Sequence, residues 1–430
     1  MVNGYDLAWG SLLAVGAPVW LAHPRARRKV LRALRERMAR RLPAAGPGPA
    51  VMIHAVSLGE MNATRALVRM LADARPDLRF VVSTTTDVGW EAAQKLYGND
   101  PMVAIIRFPL DFTGAVSRVL DGLRPSVVVL MELEVWPNFM LQCERRHIPV
   151  VLINGRLTGS SYRNYRLGGP LVSRMFRRLA FVCAQEPTYA KRFASVGVPA
   201  DRVRVTGTMK FDTAAVADRI EGDAALAEAV GLQPGAEPVW VCGSTGPGEE
   251  ELILDRFKSL DPRLRLVIVP RKPERFDEVA ELISTEGFPL LRRSTGATSP
   301  GRIDRPPVVL GDTMGELRKF YSVADVVFVG RTLVDLGQRQ RGSDMIEPAA
   351  LGKPVIVGPY THNFADAVSR FVEAGAIRVV HGIAELEGAV REILSSPDRG
   401  AGMGRRAQDV VRREQGATAR NVEVILKHLV

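Results

Sequence analysis

Four glutamates stand where an open α/β protein carries out chemistry: Glu60, Glu132, Glu134 and Glu347. Glu60 closes the turn Ser57-Leu58-Gly59-Glu60, between a strand-like run and a helix. A carboxylate there is placed to act as a general base in a cleft, or to serve the helix dipole. Glu132 and Glu134 follow the apolar run SVVVLM, Ser126–Met131. If the chain runs on extended, both point to one face, and paired carboxylates suit proton transfer with one pKa raised. The other reading is that at least one of them simply ends a buried strand. Glu347 precedes Pro348 in DMIEPAALGKPVIVGP, a short helix, a Gly-Lys-Pro stop and a buried strand. It accepts from a ribose diol, as the acidic residue of dinucleotide folds does, or sits exposed in a first helical turn.

Other candidates are cationic or glycine-rich. Gly243-Ser244-Thr245-Gly246-Pro247-Gly248 turns into a helix, and its amides with the Ser244 and Thr245 hydroxyls could cradle a phosphate. The pattern is neither a P-loop nor G-x-G-x-x-G. Arg271 and Lys272 follow another strand, and the turn Thr313-Met314-Gly315-Glu316-Leu317 presents amides. Arg156, Arg163, Arg166 and Lys210 add positive charge where an anionic acceptor could dock, although any one arginine alone reads as a solvated surface residue. No D-x-D, H-x-x-x-H or G-x-S-x-G pattern occurs, so no metal is indicated. His54 lies inside a strand and reads as a core residue rather than a base.

Alternating strand and helix signals must position these groups. Seven strands fall between Val51 and Thr206, with helices between them, which predicts a doubly wound parallel domain over 50–211. Asp212–Glu237 lacks a strand and reads as the interdomain connection. A second Rossmann-like domain follows over 238–400, and 401–430 is a helical tail expected to pack across both.

At 430 residues and 46% apolar, the chain is globular and long enough for two cores. A net charge of +11 points to an anionic partner. The charge concentrates near the N-terminus, where Pro24–Arg41 carries nine Lys/Arg and one Glu. No stacking-aromatic pattern accompanies it, which speaks against nucleic acid. The uncharged run Leu7–Ala22 precedes this block. As a helix it reaches about 24 Å, short of a bilayer core. Residues 1–42 therefore read as a membrane anchor, spanning or monotopic, with a basic segment facing anionic lipids, or else as a buried helix with a solvated basic one behind it.

The stretches HAVSLGE, MELEVWPN, NGRLTGSSYRNY, VTGTMKFD, VPRKPERF, GDTMGELRKFYSVADVVFVG and IEPAALGKPVIVGP occur in this order. In this the chain resembles the 3-deoxy-D-manno-octulosonic acid (Kdo) transferases of lipid A assembly, from about Val51 to the C-terminus. The resemblance implies a GT-B fold, two Rossmann-like domains facing a cleft, and an inverting, metal-independent glycosyltransferase without a cofactor. The donor would be CMP-Kdo and the acceptor a phosphorylated lipid A precursor, at the cytoplasmic face of the inner membrane. Glu60 resembles the family's general base, and Glu132 and Glu134 match its second acidic motif. Arg271, Met314, Gly315, Glu316 and Glu347 match donor-binding positions, with Ser244, Thr245 and Asn363 taken with them. Lys210 matches the lysine of T-G-x-x-K-F-D, and Arg156 and Arg163 join the acceptor side.

The donor half departs from the family pattern. Ser244-Thr245-Gly246 stands for Ser-Thr-His, Pro270-Arg271-Lys272 for Pro-Arg-His, and Gly330-Arg331-Thr332 for Gly-Gly-Ser. The loop Leu333–Ser343 is longer and Arg-rich. These changes admit an alternative: a GT-B enzyme using a different nucleotide sugar on a membrane lipid.

Overall fold

In a computed structural model of the chain, residues 3–44, 46–337 and 342–429 are described. The chain forms two compact units, Met1–Thr213 with Gln415–Val430, and Ala214–Glu414.

The first unit is built on a seven-stranded parallel sheet. Its strands are β1 (Ala50–His54), β2 (Arg79–Thr84), β3 (Val103–Arg107), β4 (Pro125–Met131), β5 (Val150–Gly155), β6 (Phe181–Ala184) and β7 (Val203–Val205). They lie in the order β3-β2-β1-β4-β5-β6-β7. Val127–Met131 are buried on both faces, as a central parallel strand requires, which is why SVVVLM is continuously apolar. The order reverses between β1 and β4. Ligands of open α/β sheets bind beyond the carboxyl ends of the strands at such a point, and the chain that follows β1 and β4 carries Glu60, Glu132 and Glu134.

The second unit has β8 (Val239–Thr245), β9 (Arg265–Pro270), β10 (Leu290–Arg292), β11 (Thr298–Ser299), β12 (Val308–Leu310), β13 (Val326–Val329), β14 (Val355–Val357) and β15 (Ile377–Val379). Their order is β11-β10-β12-β9-β8-β13-β14-β15, and only β11 runs antiparallel to its neighbour. Here the reversal falls between β8 and β13. Strands β10 and β11 are absent from the sequence reading because three and two residues hold no periodicity to read.

Three expectations change. The run Leu7–Ala22 is not one helix: it divides at Gly16 into Gly4–Val15 and Ala17–Ala22, with Pro18 near the start of the second. Among the described residues no helix is long and apolar enough to cross a membrane. The N-terminal helices are instead tied into the first unit. Asp6 is buried and accepts from the Thr113 amide and Asn138 Nδ2, each at 2.8 Å, while Arg37 Nε donates to the Phe108 carbonyl at 2.8 Å. Second, the unit boundary falls at Thr213/Ala214, so most of 212–237 is no free connection. Its helix Asp223–Ala229 is held by buried Asp223, which accepts from Arg219 and Ser322. Third, the tail is two helices broken at Gly416, whose φ of 93° stops the first. Pro397–Glu414 belongs to the second unit, and Ala417–Lys427 lies against helix Leu58–Ala74 of the first.

Candidate active site

In the first unit, β1 leads into helix Leu58–Ala74 through a capping box. Ser57 Oγ accepts from the Glu60 amide at 3.2 Å, and Glu60 Oε1 accepts from the Ser57 amide at 3.2 Å. Glu60 Oε2 also accepts from the Val56 amide at 3.0 Å. The carboxylate is thus fixed by two amides and left 8% exposed at the carboxyl edge of the sheet. The capping role weighed against catalysis is real, and it also immobilises the group.

Glu132 and Glu134 do not follow β4 as an extended strand. Glu132 takes a left-handed φ of 59°, which turns the chain at the end of β4. Burial, then the charges of Glu60 and Glu134, push the Glu132 carboxyl above the usual range, while Lys210 and Arg156 oppose the shift. Glu134 accepts from Trp136 Nε1 at 3.0 Å and lies 3.8 Å from His54 Nε2. Burial raises its carboxyl, but His54, Trp136 and Arg37 outweigh that and hold it below the ordinary value. His54 is fully buried, stacked on Phe108 at 3.8 Å, with Nδ1 at 3.1 Å from the Ser83 carbonyl, as expected of a core histidine. Glu60, Lys210, Arg156 and Glu134 all act on the Glu132 carboxyl, and Glu134 is in addition held by His54 and Trp136. Arg163 and Arg166 are exposed on helix Gly159–Leu167, with Arg166 over the Tyr162 ring.

If Lys210 lowers the Glu132 carboxyl, Lys210→Met should move the acid limb of the pH–rate profile to higher pH. A limb that stays in place would remove Lys210 from the electrostatics of Glu132.

In the second unit, the carboxyl ends of β9, β8 and β13 lie side by side. Ser244, with φ 57°, and Thr245 are both buried, and the Thr245 hydroxyl has no hydrogen-bond partner among the described residues. Glu249, wholly buried, ties this turn to the loop after β13: it accepts from the amide of Gly246 at 2.9 Å, and from those of Arg331 at 2.6 Å, Thr332 at 2.9 Å and Leu333 at 2.9 Å. Sequence reasoning missed Glu249, whose only signal was its place in the acidic first turn of helix Glu249–Phe257.

Arg271 is exposed at the end of β9. Glu347 is half-buried on helix Ile346–Ala350; burial, then Asp344, raise its carboxyl, and Arg318 and Arg271 oppose them. Glu316 accepts from Arg293 Nε and Nη2, each at 3.0 Å, and from the Thr313 hydroxyl of its own turn. Gly315 takes φ 87° and Met314 is 74% exposed. Asn363 lies in the short 3-10 turn His362–Phe364; its side chain, like residues 338–341 of the Arg-rich loop, lies outside the described residues. Among the described residues no group of three or more His, Cys, Asp or Glu could hold a metal ion.

Residues 32–213 match the family model of 3-deoxy-D-manno-octulosonic-acid transferase (kdotransferase). Over 387 residues the chain is 33% identical to the 3-deoxy-D-manno-octulosonic acid transferase of Haemophilus influenzae, covering 89% of this chain and 88% of that protein. The enzyme of the same name from Bordetella pertussis is 34% identical over 400 residues, 90% of this chain and 88% of its own. The chain belongs to the Kdo transferase family. It is a glycosyltransferase, and the ordered motifs are the family's. Among solved structures, Anabaena Alr3699/HepE in complex with UDP superposes with a TM-score of 0.57 at 14% identity, over 88% of the transferase and 99% of that chain. A glycosyltransferase from Rickettsia africae gives 0.57 at 12%, over 89% and 99%. These likenesses speak to the fold, which is α/β and GT-B-like with parallel sheets.

Proposed function

We propose that this transferase moves Kdo from CMP-Kdo to a phosphorylated lipid A precursor by direct displacement, with inversion at the anomeric carbon. The observation that carries this reading is the Glu60–Glu132 pair at the reversal point of the first sheet, beside Lys210 and Arg156. Glu60, held by two amides, takes the proton from the acceptor hydroxyl. Glu132 shapes the field around it, Lys210, Arg156 and Arg163 meet acceptor phosphate, and Glu134 positions the turn through His54 and Trp136. In the second unit Glu347 accepts from the cytidine ribose. Arg271 stabilises the departing phosphate in the role a metal ion plays elsewhere, so the proposal includes no metal and no cofactor. Ser244, Thr245, Met314, Gly315, Glu316 and Asn363 complete the donor site.

Incubation with CMP-Kdo and a tetra-acylated precursor tests the reading. Kdo-bearing product is expected; none, where a control Kdo transferase works, refutes it. The alternative nucleotide sugar rests on the donor-half changes. In a thermal-shift panel CMP should stabilise the protein, and stabilisation by UDP or GDP alone would favour the alternative.

We further place the enzyme on the cytoplasmic face of the inner membrane without a spanning helix. Leu7, Val15, Leu21 and Leu31 are exposed on the N-terminal helices, next to the basic block. An apolar face with flanking cations suits an anionic lipid surface. The protein should co-sediment with vesicles containing phosphatidylglycerol, less so in high salt, and Leu7→Glu/Leu31→Glu should weaken this several-fold. Equal binding to neutral vesicles would contradict it.

A further inference from the structure

Two positions at the reversal point of the second sheet, Gly246 after β8 and Arg331 after β13, fit each other. A Cβ built on Gly246 would lie 2.8 Å from Arg331 Cγ, so the arginine stem runs over the turn where a side chain at 246 would stand. Arg331 does this from a left-handed backbone with φ 59°, a conformation that glycine takes freely and an arginine does not. A side chain kept at such a cost, at a ligand-binding edge, is a sign that the side chain is used.

The use follows from what surrounds it. Glu249 takes the Gly246 amide of this turn and the Arg331, Thr332 and Leu333 amides of the loop after β13. With those four amides spent, side-chain cations are the remaining charged groups that can meet an anion at this edge. Two are at hand. Arg271 ends β9, next to β8, and Arg331 follows β13, on the other side of β8. Burial, then Arg271, disfavour the charged form of half-buried Arg331, and Glu249 opposes them. A guanidinium stays charged nonetheless, and an anion near both arginines would lower their mutual repulsion. Arginine forks match phosphate oxygens in pairs.

We propose that Arg331 and Arg271 form a two-arginine clamp on the phosphate of the donor nucleotide, with Gly246 kept small to let the Arg331 stem pass. The inference rests on the reading above that a cytidine nucleotide binds the second unit. It adds Arg331 as a donor-binding residue peculiar to this chain's loop.

The test is calorimetric titration of the full-length protein with CMP and with cytidine, which differ by the phosphate alone. Glycine suits φ 59°, so Arg331→Gly should fold as the parent does. It should bind CMP about 10- to 100-fold more weakly with cytidine binding unchanged, as loss of charge-assisted hydrogen bonds predicts. Arg331→Lys should fall between. Gly246→Ala should weaken CMP in the parent, by displacing the stem, and have no further effect in Arg331→Gly. The clamp is overturned if Arg331→Gly binds CMP as the parent does, or loses CMP and cytidine equally. A parent protein that binds no CMP would overturn both the clamp and the donor assignment beneath it.

Discussion

Glu60→Gln should slow single-turnover transfer by about 10²- to 10⁴-fold, the usual worth of a positioned general base. CMP affinity, measured by calorimetry, should stay within about twofold, because no donor contact is removed. Glutamine is the informative replacement. At this position of a capping box its carbonyl oxygen still accepts from the Ser57 amide, and only the Val56 bond to the second oxygen of Glu60 is given up. It removes the base and keeps the helix start. Glu60→Ala would remove both, adding a destabilisation of about 1 kcal/mol that mixes folding with chemistry. If Glu60→Gln lost CMP affinity in step with rate, or retained nearly full turnover, the carboxylate would be a cap and nothing more.

Glu347→Ala should act on the other substrate. Loss of a carboxylate that accepts from a ribose diol should weaken CMP about 10- to 100-fold and raise the donor KM, with kcat little changed. The pH dependence has a definite sign. Burial and Asp344 raise the Glu347 carboxyl, so it is protonated at a higher pH than an ordinary glutamate. A protonated carboxyl accepts one hydrogen bond fewer, so CMP affinity of the parent should fall as the pH drops through that raised value. Asp344→Asn should shift the fall to lower pH, and Glu347→Ala should abolish it. CMP binding that ignores Glu347 would separate the residue from the ribose.

Apart from β10 and β11, the strands of both sheets were legible because buried parallel strands are short, continuously apolar and β-branched. Val308–Leu310, Val326–Val329 and Val355–Val357 stand where the apolar runs place them. Glu60 and Glu132 were legible as carboxylates just beyond strands, and Glu347 as the carboxylate of a short helix. Their partners were not. Glu132 feels Glu60 as well as Glu134, and the turn that it makes depends on one left-handed residue, for which no propensity marks a glutamate. At the glycine-rich turn, local composition shows the amides but not what occupies them. Glu249 reaches amides 82 to 84 positions away, a contact only the fold creates. The N-terminal apolar run reads as one uncharged stretch, but Gly16 and Pro18 divide it into two helices, and Asp6 just before it supplies the buried group that docks it.

The anomeric configuration of the product bears most directly on the central claim, that one base and one leaving phosphate suffice. With CMP-Kdo and the acceptor, NMR of the purified product should show the new glycosidic bond opposite in configuration to the donor's. A product that retained the donor's configuration would require two displacements and a nucleophile on the protein, and would contradict the role given to Glu60.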